Sequence, residues 1–113
     1  MSAYLIANIE VKDPAKFAEY RDKVAPMIAA FGGRYLVRGG AVTEVEGKLG
    51  LQRLVVLEFG SMETLRAFYD SPDYAPLLAL RGAATVSDVA LVEAIRKADR
   101  RRTPQGRGAI SGR

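Results

Sequence analysis

The 113-residue chain contains no cysteine and no histidine. Those two absences exclude disulfides, thiolate nucleophiles, Cys/His zinc sites, His-ligated haem, and Ser-His or Cys-His dyads. Aspartate, glutamate, tyrosine and lysine remain for moving protons. A hard cation held by oxygen ligands is chemically open, but no Asp/Glu cluster has a recognisable loop spacing, so neither a metal nor a cofactor is expected. Long apolar runs are also missing. "AYLIA" is broken by Asn8 and Glu10 and "LVVLEF" by Glu58, far short of the roughly 20 residues that span a bilayer. The start lacks the basic opening and longer apolar stretch of a secretory signal, so the expectation is a cytoplasmic protein with no membrane partner.

What is present fits one soluble domain: 12.3 kDa, 49% hydrophobic and 27% charged residues, enough for a single core. The net charge of +4 is unevenly placed. From Lys97 onward six basic residues face one acidic residue, a net +5, whereas residues 1–96 carry eleven basic and twelve acidic residues, a net −1. Residues 1–96 therefore form the expected domain and 97–113 a basic, disordered extension. That extension has no aromatic residue for base stacking, so it is read as solvated chain rather than a nucleic-acid contact.

Within the domain "AYLIANIEV" alternates, with Leu5, Ala7, Ile9 and Val11 on one face and Tyr4, Ile6, Asn8 and Glu10 on the other, the pattern of a strand. Asp13-Pro14 reads as an N-cap followed by a first-turn proline. A helical stripe then runs through Phe17, Tyr20, Val24, Met27, Ile28 and Phe31, and Pro26 is expected to kink that helix or start a second segment. Gly32-Gly33 ends it. "GGRYLVRGG" passes from helix to glycines to strand, the reverse of a phosphate loop, and Gly39-Gly40 suggests a bulge or a close backbone approach. The strand is expected to continue through "AVTEVEG", turn at "GKLG" and return as "LQRLVVLEF", with Val55, Leu57 and Phe59 on one face. Ser61 caps a second helix, "METLRAFYD". "SPDYAPLLALRG" reads as a short helix with Ser71 as cap, Pro72 first and Gly82 as stop. "ATVSDVALVEAI" is the fourth strand.

The order β-α-β-β-α-β predicts an α+β, ferredoxin-like antiparallel sheet with helices on one face. Tyr4, Ile6, Leu54 and Val56 leave the other face too apolar for water. A second copy packed sheet to sheet in a two-fold homodimer is the simplest cover.

Taken together, "YLIANIEVKDP", "GGRYLVRGG", "LVVLEFGSME", "FYDSPDYAPL" and the closing "LVEAI" resemble a bacterial family known only as domain of unknown function 1330, within the dimeric α+β barrel superfamily. The resemblance spans about residues 2 to 95 and implies a ferredoxin-like homodimer whose sheets face each other. Wider relatives include cofactor-independent oxygenases acting on phenolic polyketides, lactone isomerases and haem-handling enzymes. This chain has no histidine with which to repeat the His-dependent mechanisms among them.

The candidate site residues follow from chemistry and placement. Glu58, a carboxylate among apolar residues, is a candidate base or a structural ion pair with an arginine. Arg38 and Arg34 offer forked grips on a carboxylate ligand, or one of them pairs with Glu58. Tyr74 could donate a proton to a ligand or simply anchor the core. Tyr69 and Arg81 lie in the same segment, Arg81 near a helix end where it favours the dipole, and Asn8 is a ligand-facing or structural amide. The expected function is binding of a small organic molecule beside the sheet, with cofactor-free isomerase or oxygenase chemistry by Glu58 and by Tyr74 or Arg38. The alternative is a noncatalytic dimer whose polar residues serve the interface.

Overall fold

In the computed structural model, residues 1–95 are described; the expected extension 97–113 and Arg96 lie outside the described residues. Strand β1 (Ala3–Val11) is followed by α1 (Pro14–Ala30), β2 (Arg34–Arg38), β3 (Leu54–Phe59), α2 (Met62–Tyr69), α3 (Ala75–Ala84) and β4 (Thr85–Glu93). The sheet order is β2-β3-β1-β4 with every neighbouring pair antiparallel. This is the ferredoxin-like arrangement, with an extra short helix before the last strand. Among the described residues no helix is long and apolar enough to cross a membrane.

The period-two pattern sorts the two faces of the sheet. Ala3, Leu5, Ala7 and Ile9 of β1 and Leu57 and Phe59 of β3 are buried toward the helices. The helices close this face with Phe17, Val24 and Ile28 of α1 and Leu65 and Phe68 of α2. Phe68 is the hub: its ring lies 5.2 Å from Phe59, 5.7 Å from Phe31 and 4.8 Å from Tyr74, centroid to centroid. Among the described residues no helix lies on the opposite face. Ile6 pairs with Val56 on one side and Ala90 on the other, and Val86 and Val92 are left 57% and 42% exposed.

Local chemistry explains where elements start and stop. Asp13 accepts the Lys16 amide and Ser61 the Thr64 amide at 3.1 Å each, so both expected N-caps hold. Gly32, at φ +79°, ends α1 as a left-handed residue should.

Four expectations need correction. Pro26 neither splits α1 nor starts a new segment. It lies on the exposed side together with Asp22, so the carbonyl that loses its partner meets water. The third helix starts at Ala75, with Tyr74 rather than Ser71 at its cap. Pro76 cannot donate to a carbonyl four residues back, which confines it to a first turn. Ser71 instead closes a turn, its carbonyl accepting the Tyr74 amide and its hydroxyl the Asp73 amide. Gly82 does not stop that helix either. The helix runs on to Ala84, and the Thr85 hydroxyl caps the Arg81 carbonyl at 2.8 Å.

Finally, 39–53 is irregular chain rather than the expected pair of strand extensions, and the strand bulge lies at Leu36, between Tyr35 and Val37, rather than at Gly39-Gly40. The alternating "AVTEVEG" has no second layer to bury it, with Val45 89% exposed, and alternation without a buried side does not specify a strand. Side chains hold this loop instead: Glu44 accepts the Leu49 and Gly50 amides. Asn8 accepts the Gln52 amide at 2.8 Å and donates to the Gly50 carbonyl at 3.1 Å.

Because Phe68 joins three aromatic neighbours at a fully buried position, Phe68→Ala should cost about 3–5 kcal/mol of folding free energy. Chemical denaturation checks this, and a loss below about 1 kcal/mol would show that the cluster is not a cooperative part of the core.

Candidate functional site

Between the inner face of the sheet and the helices lies a cavity walled by Leu5, Ala7, Ile9, Val24 and Leu57, among others. The space amounts to about 570 Å³ including its open mouth, of which about 50 Å³ would take the centre of a water molecule. Its polar lining comes from two residue types: Tyr20, Tyr35 and Tyr74, and Arg21, Arg38, Arg53 and Arg81. Among the described residues, no aspartate or glutamate lines it.

Arg38 reaches this cavity because of the bulge. Tyr35 pairs with Leu57 and Arg38 with Val55, both inward positions, while Val37 pairs with outward Val56. In a regular strand, residues three apart point to opposite faces. The extra residue at Leu36 brings Tyr35 and Arg38 to the same one. The Arg38 guanidinium carbon then sits 4.3 Å from the Tyr35 ring centroid, within the range of a cation–π contact. Arg53 lies 5.4 Å from the Phe17 ring. It also passes close over Gly39, where a β-carbon would meet its guanidinium at 2.7 Å and the backbone is left-handed at φ +73°. Glycine at 39 is thus needed both for the turn and for the arginine beside it.

Deeper in, the Tyr20 and Tyr74 hydroxyls are 2.9 Å apart, and Arg81, only 7% exposed, donates to the Tyr69 hydroxyl at 3.4 Å. Burial pushes the Tyr20 phenol up, and the neighbouring Tyr74 adds to the rise. Burial raises Tyr74 as well, with Arg81 pulling the other way, and it raises Tyr35 against the pull of Arg38 and Arg21. At Arg81 burial works to lower the pKa, but Tyr74 and Tyr20 act against it and the net direction is upward. The cavity therefore holds fixed cations and protonated phenols, which are hydrogen-bond donors.

Of the residues singled out from sequence, the fold brings Arg38, Tyr74 and Arg81 together around the cavity, with Tyr69 touching Arg81. Glu58 and Asn8 lie elsewhere. Glu58 is on the outer face, bound by Arg34 at 2.7 Å. Its carboxyl is held below the usual range first by that hydrogen bond, against burial, and further by Ser2 and Tyr4. Asn8 serves the 39–53 loop. Among the described residues no three acidic side chains gather as a metal-binding group.

Sequence reasoning missed Tyr20, Arg21, Tyr35 and Arg53 as cavity residues. A signal existed for Arg53, two residues before Val55 and so on its face. Tyr35 and Arg38 needed the bulge to be known.

Two titrations test these assignments. Tyr20 and Tyr74 have raised pKa values, so their contribution to stability is present below pH 10.0, the ordinary tyrosine value, and is lost as pH rises through the folded pKa. An alkaline absorbance titration should show fewer than five tyrosines ionising before the fold opens, and five ionising together near pH 10.0 would contradict the buried pair. Glu58 has a lowered pKa, so its contribution is present above pH 4.5 and is lost as pH falls from there through the folded value. Glu58→Gln should flatten the acid limb of stability, as read from melting temperature against pH. An unchanged limb would mean that Arg34 does not bind Glu58 in solution.

No protein of curated function matches the chain. Among solved structures, the RPA0582 protein of unknown function from Rhodopseudomonas palustris is 14% identical with a TM-score of 0.69, over 84% of this chain and 83% of that one. SnoaB, a cofactor-independent oxygenase from Streptomyces nogalater, is 16% identical with a TM-score of 0.55, over 85% and 95%. A dimeric ferredoxin-like protein of unknown function from Jannaschia is 17% identical with a TM-score of 0.58, over 83% and 100%. At such identities the likeness is one of fold. The model of the domain of unknown function DUF1330 matches residues 2–95, that is, all of the described fold but its first residue, and the chain belongs to that family.

Proposed function

We propose that this protein is a homodimer that binds a small organic molecule in the cavity between sheet and helices. The observation that carries the reading is the convergence of Tyr20, Tyr74 and Arg81, with Tyr35 and three further arginines, on a cavity whose other walls are apolar. A few convergent polar groups in an apolar cleft are the usual make-up of a ligand site. The dimer is supported by the uncovered sheet face, where Ile6, Val86 and Val92 remain exposed and which a second sheet would cover. A dimeric ferredoxin-like neighbour that aligns over its whole length is consistent with that arrangement.

Within this reading, any reaction is of the isomerase or cofactor-independent oxygenase kind. The arginines would stabilise negative charge on a ligand oxygen and Tyr74 would donate a proton. Glu58 enters such a step poorly, because it lies across the sheet from the cavity and is already bound to Arg34. The same ion pair favours a second reading for that face alone, in which Glu58 and Arg34 belong to the interface and take no part in chemistry.

Native mass spectrometry of the purified protein tests the proposal. The expected result is a dimer retaining a discrete small mass, with Val56→Lys at the centre of the open face giving a monomer. A wild-type monomer would overturn the assembly. A dimer that shows neither a retained mass nor a thermal shift with any member of a small-molecule library would leave the interface reading in its place.

A further inference from the structure

The charge balance of the cavity points to the class of its ligand. Four arginines line it, and among the described residues none of the four forms an ion pair; the bridges present join Lys12, Lys23, Arg34 and Arg66 to their carboxylates elsewhere. Arg81 is the telling member. It is more than nine-tenths buried, and among the described residues the hydrogen bond its side chain makes is a long one, to the Tyr69 hydroxyl at 3.4 Å. A buried guanidinium is costly without an opposing charge, and among the described residues no carboxylate lines the cavity to supply one. Each arginine presents a fork of donors suited to a two-oxygen anion.

From this we infer that the ligand is a small carboxylate anion whose charged end lies at Arg81 and whose apolar body lies along the cavity wall. The inference rests on the binding reading above and adds the sign and type of the ligand's charge. The wall offers that body aromatic surface: Phe68 and Tyr74 line it with centroids 4.8 Å apart and planes tilted by 42°, and Phe17 lies under Arg53. Arg21, Arg38 and Arg53 are less buried than Arg81, so they form a positive approach that draws anions inward.

The experiment pairs each acid with its neutral amide: benzoate with benzamide, cinnamate with cinnamamide, and octanoate with octanamide, titrated calorimetrically into the full chain. The expected result is that at least one acid binds roughly tenfold or more tighter than its amide, and that this advantage shrinks as salt is added. Arg81→Gln should erase the preference, and Arg53→Gln should weaken the salt dependence while leaving a preference in place. Amides that bind within tenfold of their acids would overturn the anion assignment and leave the pocket standing. Failure of all six compounds to bind would overturn the carboxylate assignment, and the pocket reading falls with it only if the protein also shows no retained mass and no thermal shift with any library member. If Arg81→Gln does not fold, the wild-type acid and amide comparison decides the matter, and if it folds with its preference intact, the placement at Arg81 is wrong.

Discussion

The structure depends on β1 being hydrogen-bonded along both edges while, among the described residues, helices cover one of its faces. Its pairing with β4 spans every residue from Ala3 to Val11, so the end of one strand fixes the beginning of the other. Where Val11 meets Thr85, the Ala84 carbonyl closes the junction by accepting the Lys12 and Asp13 amides at 2.8 and 3.0 Å. Those amides precede α1, and that carbonyl ends α3. One acceptor therefore sets the start of one helix against the end of another, and α1 packs chiefly on α3. Tyr20 on α1 meets Tyr74 at the cap of α3 because of that junction. The depth of the cavity and the position of Arg81 follow from it.

Against this arrangement, what could be read from sequence divides by the range of the interactions involved. Period-two alternation in "AYLIANIEV" and "LVVLEF", the caps at Asp13 and Ser61 and the glycine stop at Gly32 are local, and all of them hold. Alternation in "AVTEVEG" was equally local and misled, because a strand also needs a surface to pack on, and among the described residues Val42 and Val45 of this segment stay exposed. The start of α3 was misplaced because Ser71-Pro72 and Tyr74-Ala75-Pro76 are competing signals. The proline that would have broken the longer helix decided between them. Gly82 looked like a stop because the capping group that replaced it, the Thr85 hydroxyl, belongs to the next strand.

The candidate site was less legible than the fold, since its geometry turns on a single inserted residue. Without the bulge at Leu36, Arg38 would share a face with Arg34 and lie near Glu58, as a reading by alternation would have it. With the bulge, the two arginines part. Arg34 stays outside to neutralise Glu58, and Arg38 goes inside to stack on Tyr35. The sheet thereby separates charge, with the ion pair on the face that would meet a partner and the surplus cations on the face that meets the helices. Arg53 and Gly39 complete the arrangement, the glycine giving the arginine room to lie over Phe17.

That separation constrains whatever chemistry the cavity performs. Tyr20 and Tyr74 share one hydrogen bond, so one hydroxyl donates to the other and the second proton remains available to a ligand oxygen. The arginines also only donate, and among the described residues no carboxylate faces the cavity. A lining of this kind can hold and stabilise an oxygen anion, but it supplies no group with a spare lone pair of useful basicity near neutral pH. If the bound molecule reacts, the proton to be lost must leave before the ligand enters, or pass to a second reactant or to another part of the ligand. A carboxylate held at Arg81 does not by itself meet this condition, because the proton it has lost is not the one at a reacting carbon or hydroxyl, so the lining is better suited to holding an anion than to deprotonating one.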